Sequence, residues 1–339
     1  MPQISTLVSV LAVLPLILAQ GSPPSLPAKG ENGEIGGIFG MGQMRAPPKL
    51  GGPGLTAQGP EFPKPGPRTT NGGSGPYKAA FSLDPSLLNH TIYAPKAAPP
   101  ASVKLPVLVF GNGGCMNTGT MFEDFLTEIA SYGYLVIANG PPGRNSSTSG
   151  SGATNPLAGL MSAMGAGQSR PIQLTQSVDW VTKGGPDVTK YGNVDTAHIA
   201  AAGQSCGGLE AYSASYHDDR IKLTILFNSG VIAEEKTYLL KELKAPVGYF
   251  LGGPLDIAYP NGERDYPLLP AGLPAMKASL DTGHMGTYGS TGGGKFGKAA
   301  VAFLEWQFRG DARAKAKFTD PASEGSLVKD NWNVTTKGF

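Results

Sequence analysis

The chain has 339 residues, 40% of them apolar, enough to bury a sizeable core in one large domain or two small ones. Its 27 Lys and Arg balance 25 Asp and Glu, which leaves no basic field to hold nucleic acid and no acidic run to suggest a cation partner. What departs from the average is the 49 glycines and 30 prolines, and they are unevenly spread.

The N-terminus carries an apolar run from Leu7 to Leu18, too short to span a bilayer and long enough for the apolar region of a secretory signal. It predicts a signal peptide over residues 1–19, cut after Ala19 or Gln20, and hence a secreted, extracellular protein without stable membrane insertion. Three acceptor sequons, at Asn89, Asn145 and Asn333, fit an exported glycoprotein. Residues 21–76 contain 26 Gly or Pro, with Phe39 and Phe62 the only aromatics. Such a stretch buries too little apolar surface to offset its ordering entropy, so residues 20–76 read as a flexible segment or surface strap ahead of a catalytic domain over 77–339.

Order is expected to begin near Tyr77. "HTIYAP" (90–95) and "LPVLVFGNGG" (105–114) read as strands, the second an unbroken apolar run suited to a buried parallel position. "TGTMFEDFLTEIASYG" places Met121, Phe122, Phe125, Leu126 and Ile129 at helical spacing before Gly133 stops it. "YLVIANG" is a further strand, followed by a Gly/Ser-rich loop from Pro141 to about Gln168. "PIQLTQSVDWVTKG" reads as a helix with Ile172, Val178 and Val181 among its apolar positions. There follow strand "HIAAAGQS", helix "GGLEAYSASY", strand "KLTILFNSG", helix "TYLLKEL", strand "APVGYFLGG", strand "AMKASLD" and helix "GKAAVAFLEWQFRG". This alternation predicts an α/β fold with a mostly parallel central sheet, helices on both faces, and reactive loops at the carboxyl ends of the strands.

Gly203-Gln204-Ser205-Cys206-Gly207 fits G-x-S-x-G and stands between a predicted strand and a predicted helix, the context that gives the motif meaning. Ser205 is then a candidate nucleophile on a sharp strand-to-helix turn, with glycines leaving room for neighbouring backbone. A serine hydroxyl needs a base, and there are four histidines. His90 sits in an early strand, while His198 and His217 fall toward the far end of the sheet. His284, in "DTGHMGTYG" after the last predicted strand, combines the correct end with a glycine-bounded loop. For the carboxylate that orients the histidine, Asp256 lies directly beyond "VGYFLGG" and is preferred over Glu263 and Asp265 in the same loop. Asp281 is only three residues from His284, and Asp218 and Asp219 precede a strand rather than follow one.

The strand order, the motif and the order Ser205, Asp256, His284 resemble the α/β-hydrolase fold. Within it, "LPVLVFGNGG", "GQSCGG", "GGPLD" and "GHMGTY" resemble dienelactone-hydrolase-like and cutinase-like esterases, including secreted polyester hydrolases, over about Tyr77 to Asp320. The resemblance implies a serine hydrolase that cleaves carboxylic esters through an acyl-serine and needs no cofactor or metal. Lipase-type members often carry HGGG after the third strand, whereas this chain has Asn112 where the histidine stands. By that comparison the backbone N–H groups of Gly114 and Cys206 form the oxyanion hole. Cys115 and Cys206, the two cysteines of the chain, then belong to backbones close enough for a disulfide, which an exported protein would form.

Other motifs fail on context. "GSTGGGKF" (289–296) has Phe296 where a phosphate loop needs Ser or Thr, and "GNGGCM" has Met116 in place of the third glycine of a dinucleotide fingerprint. Two cysteines and four scattered histidines show no zinc spacing. The expected partner is a small-molecule or polymeric ester, met by a monomer with an open cleft and no large lid. A peptidase or acyltransferase with the same triad, and a non-catalytic binding protein on a hydrolase fold, are the alternatives.

Overall fold

In the computed structural model, residues 71–143, 167–184, 188–216 and 218–339 are described. The expected signal peptide, the strap up to residue 70, the Asn145 sequon, most of the loop after Pro141 and His217 lie outside the described residues.

Among the described residues, nine strands form one sheet: β1 (Ala79–Ser82), β2 (His90–Pro95), β3 (Lys104–Gly111), β4 (Leu135–Asn139), β5 (Asn193–Gln204), β6 (Ile221–Phe227), β7 (Val247–Leu251), β8 (Ala275–Ser279) and β9 (Asn333–Lys337). Their spatial order is β1-β2-β4-β3-β5-β6-β7-β8-β9. The six strands from β4 to β8 run parallel, while β1, β2 and β9 pair antiparallel at the margins. The α-helices among the described residues are α1 (Glu123–Ser131), α2 (Pro171–Thr182), α3 (Cys206–Ser215), α4 (Tyr259–Leu268), α5 (Gly294–Arg309) and α6 (Ala312–Thr319).

Apolar runs make the central strands because both faces are covered. Leu108 and Phe110 of β3 join a cluster with Phe125 and Ile129 of α1 and with Phe296 and Phe303 of α5. Val107 and Val109 point the other way, against Leu174 and Val178 of α2 and Ala211 of α3. Burying each of these large side chains contributes about 1.5–3 kcal/mol relative to exposure. Trp180 and Trp306 are core residues on opposite faces. Ile172, expected among the apolar positions of α2, is instead exposed.

Four local readings change. Residues 71–76, taken in the sequence as the end of the flexible segment, dock on α1: the Gly75 N–H donates to Ser131 Oγ at 2.9 Å, and Ser74 binds the Glu128 carboxylate. "TYLLKEL" belongs to a 3₁₀ helix, Glu234–Glu242, in which Leu240 is the only buried residue, so no apolar stripe favours an α-helix. Residues 259–268, part of the loop expected to hold Glu263 and Asp265, form α4 despite Pro260, Gly262 and Pro267. Pro260 falls in the first turn, where a missing N–H costs nothing, and Tyr266 and Asp265 are buried. The polar edge strand β9 carries little strand signal; it forms by pairing with β8.

Among the described residues, no helix is long and apolar enough to cross a membrane.

Candidate active site

The turn that carries Ser205 is built from close backbone approaches. Ser205 follows the last residue of β5 and precedes the first of α3, with φ 54° and ψ −119°, a conformation that costs on the order of 1–3 kcal/mol for a residue with a side chain. A Cβ on Gly203 would lie 2.1 Å from the Gly207 carbonyl oxygen, and one on Gly207 would lie 2.0 Å from the Gly111 carbonyl oxygen. Glycine at both motif positions therefore lets α3 start directly against β5 and β3. The Ser205 N–H donates to the Phe227 carbonyl at 2.9 Å, and Ser229 Oγ donates to the Ser205 carbonyl at 2.7 Å, so β6 fixes the strained turn from the side.

The three residues singled out in the sequence meet. His284 Nε2 lies 2.9 Å from Ser205 Oγ, and His284 Nδ1 lies 2.6 Å from Asp256 Oδ1. Because an ionised carboxylate only accepts, Nδ1 carries the proton and Nε2 presents its lone pair to the serine hydroxyl. Asp256 is 1% exposed. Burial alone would raise its pKa; hydrogen bonds from His284, the Ala258 and Gly252 amides and Asn228 outweigh it and hold the carboxyl below its ordinary value. The group stays ionised and can stabilise an imidazolium. The arrangement is chemically competent to withdraw a proton from Ser205 and return it to a leaving group.

The rival groups are committed elsewhere. Asp265 accepts from the Val231 N–H at 2.6 Å and from Tyr212; Glu263 pairs with Lys277; Asp281 is exposed. His90 is buried with its ring between the Leu88 and Gln173 carbonyls, and burial lowers its pKa. His198 sits where β5 shifts register against β3 and pairs with Asp195, seven residues or roughly 20 Å along the strand from Ser205.

Two supporting residues escaped the sequence reading. Asn228, directly after β6, adopts φ 46° and donates from Nδ2 to Asp256 Oδ2 at 2.8 Å and to the Gly283 carbonyl at 3.2 Å. Its amide is oriented by Tyr288, whose hydroxyl donates to Asn228 Oδ1. The signal was present in "LFNSG": an asparagine at a strand's carboxyl end suits a left-handed turn. Gln204 is buried, donates to the His284 carbonyl at 2.9 Å, and sets its side-chain oxygen against Gly113, so it spans the site just below the serine.

Beyond β3, Gly113–Cys115 forms a 3₁₀ turn in which Gly114 has φ 62° and is exposed. Cys115 is bonded to Cys206, with Cα atoms 5.1 Å apart, which fixes this turn beside the residue that follows Ser205. Cys206 is the first residue of α3, where backbone N–H groups lack intrahelical partners and the helix dipole is positive. Among the described residues no cluster of His, Cys, Asp or Glu could hold a metal ion.

Compared with known proteins, the chain matches no family model, and no curated protein matches it.

Proposed function

We propose that this protein is a secreted serine hydrolase of the α/β-hydrolase fold that cleaves carboxylic esters through an acyl-serine intermediate. The observation that carries the reading is the unbroken relay from Ser205 through His284 to the buried Asp256, assembled from loops that follow three parallel strands. The strand-turn-helix around Ser205 and the serine's strained φ further support it.

In this reading Ser205 Oγ attacks the ester carbonyl while His284 Nε2 takes its proton. The Gly114 and Cys206 amides stabilise the oxyanion, and donors so placed are commonly worth about 3–4 kcal/mol each. His284 then protonates the leaving alcohol, and water repeats the sequence on the acyl-serine. The exposed Leu255, Ile257 and Met285, which flank Asp256 and His284 in the chain, favour an ester with apolar bulk. The test is labelling by a fluorophosphonate together with turnover of p-nitrophenyl esters: wild type should be labelled at Ser205 and active, and Ser205→Ala neither. Equal turnover by the two would dismiss the proposal.

A further inference from the structure

Besides Asp265, a second fully buried carboxyl group stands outside the relay. Glu210 lies on α3, five residues past Ser205, and is 0% exposed. Its Oε2 accepts from Asn139 Nδ2 at 2.9 Å, at the end of β4, and its Oε1 accepts from Ser169 Oγ at 2.8 Å. The same Oε2 lies against Gly111, where an added Cβ would come within 2.7 Å of it. These partners are the supports of the turn that carries Gly114. The Ser169 N–H donates to the Cys115 carbonyl at 2.7 Å. Asn112 Nδ2 donates to the Asn139 carbonyl at 2.7 Å and to the Met116 carbonyl at 3.1 Å. Every route from Glu210 thus ends on residues 111–116.

We propose that Glu210 is a positioning residue for the oxyanion turn, acting through Asn139, Ser169 and the Gly111 backbone to hold residues 112–115 against the nucleophile. The inference rests on the hydrolase reading and deepens it.

Two observations say in which form Glu210 acts. Burial raises its pKa to about 8, against which the hydrogen bonds from Ser169 and Asn139 act only in part. Among the described residues, the side-chain oxygens of Asn112 and Asn139 are buried without a donor; with the Asn139 amide turned by 180°, its oxygen accepts from a protonated Glu210, a bond that a carboxylate cannot make. Among the described residues, no charged group offsets its burial. His90 lies opposite Asn139 on β2 and is itself pushed by burial toward the neutral form. On α2, Arg170 is exposed at the start, and Asp179 and Lys183 pair with each other at the other end. Neutral Glu210 holds the turn. Its ionisation above about pH 8 puts a negative charge beneath the amides that must receive an oxyanion.

The test uses the full chain with a p-nitrophenyl ester across pH 6–10, comparing wild type, Glu210→Ala and Glu210→Gln. Removing the side chain should lower kcat about 10- to 100-fold while KM moves little, the mark of lost alignment rather than lost binding. Glu210→Gln should recover most of that loss and, having no proton to give up, should lack the fall in kcat that wild type shows as pH passes about 8. Should the Ala variant not fold, the Gln profile decides alone. An unchanged kcat in a folded Glu210→Ala, or the same alkaline fall in Glu210→Gln, overturns the proposal while leaving the hydrolase reading intact. A wild-type chain that is neither labelled at Ser205 nor active overturns both.

Discussion

Replacing Asp256 with asparagine tests the relay most sharply, because the structure dictates how the new amide must sit. Four donors converge on the two carboxylate oxygens: Asn228 and the Gly252 amide on Oδ2, His284 and the Ala258 amide on Oδ1. An amide has one oxygen, so one pair of donors must face an NH₂ group. With the NH₂ at the Oδ2 position, both the Asn228 and Gly252 donors lose their acceptor, at about 1–3 kcal/mol each. With it at the Oδ1 position, only the Ala258 N–H is stranded, since the imidazole can move its proton to Nε2 and accept at Nδ1. The second arrangement is favoured by about one buried donor, roughly 1–3 kcal/mol, and it places an N–H where Ser205 needs a lone pair. On the proposed function, the expected result is a folded protein whose kcat falls about 10,000-fold, the scale found when other serine triads lose this carboxylate, or about 5.5 kcal/mol of transition-state stabilisation. Ester turnover and fluorophosphonate labelling should fall together while the melting temperature changes modestly. A loss under tenfold in a folded Asp256→Asn protein would refute the claim that this carboxylate sets the histidine's tautomer.

Two further substitutions probe the scaffold around the serine. Reducing the Cys115–Cys206 bond, or replacing both cysteines with serine, should destabilise the chain by about 4–5 kcal/mol, since the bond spans a sequence separation of 91. It should also lower kcat by freeing the turn at Gly114. Thermal melts and turnover with and without reductant check both effects, and full activity after confirmed reduction would count against any coupling between the bond and the oxyanion turn. Gly207→Ala should give a protein that melts lower by the equivalent of about 1–3 kcal/mol or fails to fold, because the added methyl meets the Gly111 carbonyl oxygen at 2.0 Å. A melting temperature equal to wild type would contradict the backbone contact on which the turn is built.

The parts of this protein that sequence makes readable are those in which one residue type has one physical explanation. Apolar runs such as "LPVLVF" signal strands covered on both faces, and a serine framed by glycines between strand and helix signals a tight turn. His284 and Asp256 could be chosen because loops after parallel strands share one end of the sheet. That Cys115 and Cys206 are bonded rather than free thiols was legible only through the resemblance: two cysteines allow a single intrachain pair, but their spacing does not say that their backbones meet. What stayed hidden depends on tertiary contact. Helix α4 carries two prolines and a glycine that argue against it locally, and burial of Tyr266 and Asp265 decides in its favour. Asn228 is one of many asparagines until the sheet order places β6 between the strands that supply Ser205 and Asp256. Glu210 lies on a helix whose polar positions cannot be sorted without knowing what covers them.

The sheet order also explains why the relay needs an imidazole in its middle. Adjacent strands stand about 4.8 Å apart, so β5 and β7, two steps from each other, are separated by about 10 Å, beyond the reach of a carboxylate for a serine hydroxyl. The histidine comes from β8, one step farther out, and its loop must fold back over the sheet. Three backbone bonds tie that return to the end of β7: Leu280 N–H to the Leu251 carbonyl at 3.0 Å, and Thr282 and Gly283 N–H to the Gly252 carbonyl at 3.0 and 2.8 Å. Gln204, one residue before the serine, then captures the His284 carbonyl from β5. The gap left over the intervening β6 is filled by Asn228, which bonds the Asp256 side chain and the Gly283 backbone at once. Each strand from β5 to β8 therefore contributes one element of the relay: main-chain bonds bring the His284 backbone over the sheet, and the Asp256 hydrogen bond orients its imidazole.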